Sequence, residues 1–197
     1  MALMAGVATL SAAPVSIGFE VPQGTYVPTP GVTQELTNQF SSLGIIFQDI
    51  SSPGRGAIAG QCGPGNGLVS LFGFGADFAG CGDTTPNLDI VFVDPSNPLN
   101  PAYTTSFSIL NTDGTLQLSA YDIFGNLLGS TSNFSGTLSL SGIGQIARVN
   151  LLSLDQNPTT MDDLNFEAVT PFAPVPEPGT WGLLTLGFGA LALRKRR

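Results

Sequence analysis

AYTTSFSIL at 102–110, Asn111-Thr112-Asp113-Gly114, and TLQLSAY at 115–121 form one passage in which apolar and small polar residues alternate. A period of two puts successive side chains on opposite faces of a strand, so one face can be buried while the other meets water. In the second run Leu116, Leu118 and Ala120 share a face. Asp-Gly tolerates positive φ, so the residues between the runs predict a hairpin turn at 111–114.

The pattern repeats outward. Toward the C-terminus, Phe124-Gly125-Asn126 reads as a turn into Leu127–Ser130, and Thr137–Ser141 alternates through Leu138 and Leu140. Gln145–Leu154 alternates through Ala147, Val149 and Leu151, with Arg148 and Asn150 on the other face, and Leu164–Val169 reads as the last strand. Toward the N-terminus, Leu88–Val93 and Leu68–Phe72 are apolar enough for buried strands, and Gly54–Gly67 reads as loop. Leu43–Phe47 predicts another strand, preceded by a short helix or irregular turn over Thr33–Ser42. Val15, Ile17, Phe19 and Val21 alternate as the first strand. About nine short antiparallel strands at this spacing predict an all-β fold, a two-sheet, jelly-roll-like β-sandwich over residues 14–170.

Composition agrees and narrows the function. Only 10% of the 197 residues are charged, and there is no histidine. Between Glu20 and Val175 stand thirteen acidic side chains and two basic ones, Arg55 and Arg148, a net charge of −11. Such a surface repels polyanions, which argues against a nucleic-acid partner. Without histidine there is no Ser-His-Asp or Cys-His nucleophile system. The acidic residues offer many carboxylate pairs, but no one pair stands out as a glycosidase site, so a non-enzymatic role is expected. The Gly-rich stretches 60–67 and 73–75 lack the lysine and the strand-to-helix setting of a phosphate loop.

Cys62 and Cys81 bracket one of these loops. An even count outside the reducing cytosol predicts a disulfide, with two unpaired thiols as the alternative. No histidine or further cysteine is there to complete a zinc site.

The two ends read as processing segments. MALMAGVATLSAA at 1–13 has the apolar run and small-residue end of a signal peptide but lacks its basic start, so the leader is expected to be truncated there; an apolar first strand is the alternative. Thr170–Pro176 is Pro-rich, and a linker at 171–175 should be extended and exposed. Beyond it come Pro176-Glu177-Pro178, an apolar stretch from Gly179 to Leu193, and Arg194-Lys195-Arg196-Arg197. As a helix the apolar stretch would be about 22 Å long, short against a hydrocarbon core of about 30 Å. The basic cluster would stay cytoplasmic, with Trp181 at the opposite interface.

These ordered elements resemble the PEP-CTERM sorting signal of Gram-negative bacteria. The resemblance covers residues 176–197 and implies recognition of Pro176, Glu177 and Pro178 by exosortase, a membrane-embedded transpeptidase-like enzyme. It also implies Sec export, a transient inner-membrane intermediate, and delivery to the cell surface or extracellular matrix alongside exopolysaccharide or biofilm. Leu43–Phe47, Ala120-Tyr121-Asp122 through Asn126, and Met161–Phe166 are similar to the β-sandwich cargo of that family.

Two kinds of site are expected on the body. If the first and last strands are neighbours, Glu20 and Asp163 are candidate ligands for a structural Ca²⁺, with Asp155 and Asp162 as further oxygen donors. Of the seventeen aromatic residues thirteen are Phe, which favours core, and the single Trp lies in the tail. Tyr26, Tyr103 and Tyr121 are therefore the candidates for a glycan-binding face. The leading expectation is a displayed structural or adhesive protein, and the alternative is a carbohydrate-binding module for exopolysaccharide.

Overall fold

The computed structural model describes residues 13–28, 34–50, 53–61, 69–72, 87–155 and 159–173. Among them the chain is antiparallel β throughout, broken by one 3₁₀ turn at Ser41–Leu43. The strands are β1 (Val15–Ile17), β2 (Gln34–Leu36), β3 (Ile45–Asp49), β4 (Ala57–Gln61), β5 (Val69–Phe72), β6 (Asn87–Asp94) and β7 (Asn97–Asp113). They continue as β8 (Leu116–Tyr121), β9 (Leu127–Asn133), β10 (Gly136–Ile146), β11 (Arg148–Ser153), β12 (Thr160–Phe166) and β13 (Thr170–Pro171).

Hydrogen bonding sorts the strands into two curled layers. One runs β2-β4-β5-β12-β7, with β10 on the far side of β7 and β1 beside β5 on the outer edge of β12. The other runs β3-β6-β11-β8-β9. They join where the end of β6 meets the start of β7, at Val93–Pro101 and Asp94–Asn97. The long β7 carries two prolines near its start, where it makes few ladder bonds and their missing N–H groups cost little.

Alternation does what it predicts. Leu88, Ile90 and Phe92 of β6, Val149 and Leu151 of β11, and Leu116, Leu118 and Ala120 of β8 face one core. Phe107, Ile109, Leu138, Leu164 and Phe166 meet them from the other layer. Phe92 touches Phe107 and Phe166 with ring centroids 6.3 and 5.4 Å apart, both edge to face.

Several expectations need correction. The 111–114 passage is not a hairpin: Gly114 has the positive φ of 81°, but β7 and β8 lie in different layers and do not pair. It is a corner between sheets, held by the buried Asn111 amide, which donates to the carbonyls of Gly114 (2.8 Å) and Phe134 (3.1 Å). Residues 57–61, expected as loop, form β4. The first strand ends at Ile17, because the chain turns at Phe19 and Glu20. The expected linker begins as structure: Pro171 pairs with Ala102, and the Phe172 ring lies 5.0 Å from that of Tyr103. The 1–12 part of the leader, Cys62, Cys81, and the tail with its expected helix from Gly179 to Leu193 lie outside the described residues. Among the described residues no helix is long and apolar enough to cross a membrane.

Candidate functional site

Two places carry unusual polar chemistry. The first is the outward face of the β3-β6-β11-β8-β9 layer. Residues that alternate with the core positions put Gln48, Asp89, Asn150, Ser119 and Ser130 in one row, each directly opposite the next across a strand pair. The Arg148 guanidinium donates to Asp89 Oδ2 at 2.6 Å, and Asn150 Nδ2 donates to Asp89 Oδ1 at 2.8 Å and to Asn87 Oδ1 at 3.0 Å. Ser119 Oγ donates to Ser130 Oγ at 3.3 Å. Arg148 also lies over the Tyr121 ring, 4.0 Å from its centroid, a cation–π contact. At the β3 edge the face meets a cavity of about 560 Å³ whose lining includes Thr37, Asn38, Ile46, Gln48 and Arg55.

The second place is the corner where β1 pairs with β12, Ile17 opposite Leu164. Glu20 follows β1, and its carboxyl shares a hydrogen bond with that of Asp162. A side chain at position 18 would come within 3.0 Å of Glu20 Oε2, so Gly18 leaves the carboxylate its space. Asp162 is 7% exposed and accepts from the Asp163 N–H at 2.8 Å. Burial pushes the Asp162 carboxyl up to about 6, and the neighbouring Glu20 and Asp163 carboxylates push the same way against that N–H. Asp162 therefore keeps its proton to higher pH than an ordinary aspartate, because ionising it would leave a buried charge beside the Glu20 carboxylate.

The structure thus brings Glu20 to Asp162, the residue before the expected Asp163. Asp163 is exposed, with φ of 46°, and marks an irregularity in the β12–β7 ladder. Asp155 is engaged elsewhere, accepting from the Thr115 N–H at 2.9 Å. Among the described residues no three acidic or cysteine side chains converge as a metal site.

The tyrosines separate. Tyr26 is core, not glycan face: it is 2% exposed, its hydroxyl donates to the Phe19 carbonyl at 2.8 Å, and its ring packs on Phe40. Burial, and then the charge of Glu20, raise its phenol. Tyr103 packs on Phe172. Only Tyr121 lies on the polar face. Sequence reasoning missed Asp89 as a site residue, although Leu88, Ile90 and Phe92 already forced it outward. It also missed Phe124, 86% exposed at the β8–β9 turn, by assigning phenylalanine to the core.

Comparison with known proteins bears on the tail. The PEP-CTERM protein-sorting motif matches residues 174–197. The chain carries a PEP-CTERM sorting signal. That motif is the recognition signal of exosortase and implies export with processing at the membrane. No curated protein matches this PEP-CTERM chain in sequence.

Two solved structures resemble its body. The Clostridium thermocellum endo-1,4-β-D-xylanase 10B, as CBM22-1–GH10 modules complexed with xylohexaose, is 12% identical with a TM-score of 0.34, over 81% of this chain and 28% of that one. The Podospora anserina GH26-CBM35 β-(1,4)-mannanase is 15% identical with a TM-score of 0.25, over 83% and 29%. The PEP-CTERM chain spans less than a third of either. Likeness at that level assigns neither ligand nor reaction.

Proposed function

We propose that this is a non-catalytic structural or adhesive protein of the cell envelope or extracellular matrix of a Gram-negative bacterium. The observation that carries the reading is the sorting motif at 174–197, placed behind an acidic β-domain. In this reading Sec exports the chain, the stretch from Gly179 to Leu193 holds it in the inner membrane, and exosortase cuts near Pro176-Glu177-Pro178. The jelly-roll-like body is then displayed alongside exopolysaccharide, with Cys62 and Cys81 joined. A structural Ca²⁺ belongs to the same proposal, moved to the Glu20–Asp162 pair, where the cation would offset the two neighbouring carboxylates.

Intact-mass measurement of the protein from its native host tests the sorting. A mature form ending near Pro176 is expected, and that form should vanish when exosortase is deleted. A full-length species ending at Arg197 in the membrane fraction of the unmodified host would overturn the temporary-anchor reading.

A second reading, carbohydrate binding, is favoured by the polar face around Tyr121, whose amide, hydroxyl and guanidinium groups suit a polyhydroxyl ligand.

A further inference from the structure

We propose that a neutral polysaccharide chain binds across the strands of the β3-β6-β11-β8-β9 layer, along the Gln48–Asp89–Asn150–Ser119–Ser130 row. The proposal rests on the carbohydrate-binding reading and gives it a site, a direction and a charge class.

The direction comes from the register. Each residue of the row faces the next across a strand pair, so the row runs perpendicular to the strands. Strands lie about 4.8 Å apart, which makes the row about 19 Å long, room for a few sugar rings end to end. The middle of the row is built from short side chains. On β8 and β11 the rows to either side carry long ones, Tyr121 and Arg148 toward one end of the strands, Gln117 and Leu152 toward the other. Short residues between long ones make a groove. Its floor of Asp89, Asn150 and Ser119 is less than a tenth exposed, although no third layer covers this face among the described residues. Gln48 and Ser130 stand exposed at its two ends. A cavity of about 560 Å³ borders the Gln48 end of the row at the β3 edge.

The charge class comes from pairing. Arg148 neutralises Asp89 inside the groove, while the body around it is strongly acidic. A polyanion would meet that field with nothing in the groove to offset it. A neutral polyol meets donors and acceptors already fixed: Asn150 and Arg148 hold Asp89 in place, Asn87 holds Asn150, and Tyr121 is held by Arg148. Groups ordered beforehand lose little freedom when a ligand arrives.

Affinity electrophoresis of the full chain in mild detergent tests this, with gels containing mixed-linkage β-glucan, glucomannan, dextran or alginate. At least one neutral polymer should retard the protein and alginate should not. Gln48→Ala and Ser130→Leu, at opposite ends of the groove and both on exposed positions, should each raise the apparent Kd tenfold or more with an unchanged melting temperature. Leu99→Ser, at an exposed position near the start of β7, should leave retardation unchanged. Retardation by a neutral polymer that both groove variants retain would overturn the row and spare the carbohydrate reading. Retardation by alginate alone would overturn the charge assignment and with it the groove as described. No retardation by any of the four would sink the row and the carbohydrate reading together, without touching the sorting result.

Discussion

The two curled layers of this β-domain solve the same packing problem differently. In β6-β11-β8 the register is unbroken from Arg148 to Leu152 on both sides, so every second residue goes outward at a fixed spacing. In β12-β7 the register shifts twice, between Thr160 and Met161 and between Asp162 and Asn165, and Asp163 takes a positive φ. The regular layer lines up a row of polar groups whose charges cancel. The irregular one turns a carboxylate inward against another carboxylate. Carboxyl groups are displaced both ways: Asp122 in the first layer and Glu35 in the second down, Asp162 at the second layer's irregularity up. Regularity builds a surface that can be satisfied from within, whereas a ladder irregularity creates a charge that wants a proton or a cation.

The largest expected effect breaks the regular layer. Arg148→Ala leaves the Asp89 carboxylate, with 9% of its side chain exposed, without its ion-pair partner. Removing one member of a mostly buried pair costs about 3 kcal/mol, because the remaining charge is desolvated and uncompensated. Chemical denaturation should show that loss, and the double variant Asp89→Asn/Arg148→Met should recover most of it. Equal losses in the single and double variants would mean that the pair contributes by packing alone.

The next effect has the opposite sign and belongs to the irregular layer. The Asp162 carboxyl titrates near 6 in the folded protein and near 3.9 unfolded, so the folded state holds the proton more tightly. Its contribution to stability is present below about pH 4 and is lost as pH rises through about 6. Asp162→Asn keeps an acceptor for the Asp163 N–H and removes the charge. In calcium-free buffer at pH 7.5 the variant should melt about 5 °C above the parent, with the gap closing toward pH 4. Millimolar Ca²⁺ should raise the melting temperature of the parent and not of the variant. A parent that ignores both pH and calcium in this range would remove the corner from any switching or metal role.

How much of this was legible depends on whether the information was local. The β8–β9 turn could be read from Phe124-Gly125-Asn126, since Gly125 needs its φ of 82° and the strands beside it pair directly. The passage at 111–114 has similar turn chemistry, yet Asp-Gly does not say which strand the chain will pair with next. β4 was missed because Ala57-Ile58-Ala59-Gly60 has too little contrast between faces to show a period. The corner of Glu20 and residue 163 was found to within one position, and one position is what a ladder irregularity changes: a single slip moves a side chain to the other face. Tyr121 was legible as outward-facing. Its partner Arg148 and the Asp89 that Arg148 pairs with, fifty-nine residues apart, met only once the strand order was known.

The smallest effect sets two of the displaced carboxyl groups, Asp122 and Asp162, side by side. Asp122 closes the β8–β9 turn: its Oδ1 accepts from the Phe124 N–H at 2.9 Å and the Asn126 N–H at 2.8 Å, and its Oδ2 accepts from Asn126 Nδ2 at 2.8 Å. The Asn126 amide first, and then the backbone N–H groups, hold the carboxyl below its ordinary range, so its contribution is present above about pH 4 and fades as acid protonates it. Carboxyl-carbon NMR titration should therefore find Asp122 below the ordinary aspartate midpoint and Asp162 above it. Asp122→Ala should lower the melting temperature by about 2 °C at neutral pH, with the loss shrinking in acid, the reverse of the trend at Asp162. Because the turn presents the exposed Phe124, the same substitution should loosen Phe124 without moving the Asn150–Asp89 network. If amide shifts at Asn150 and Asp89 change as much as those at Phe124, the regular layer transmits strain along its strands and is less self-contained than its unbroken register implies.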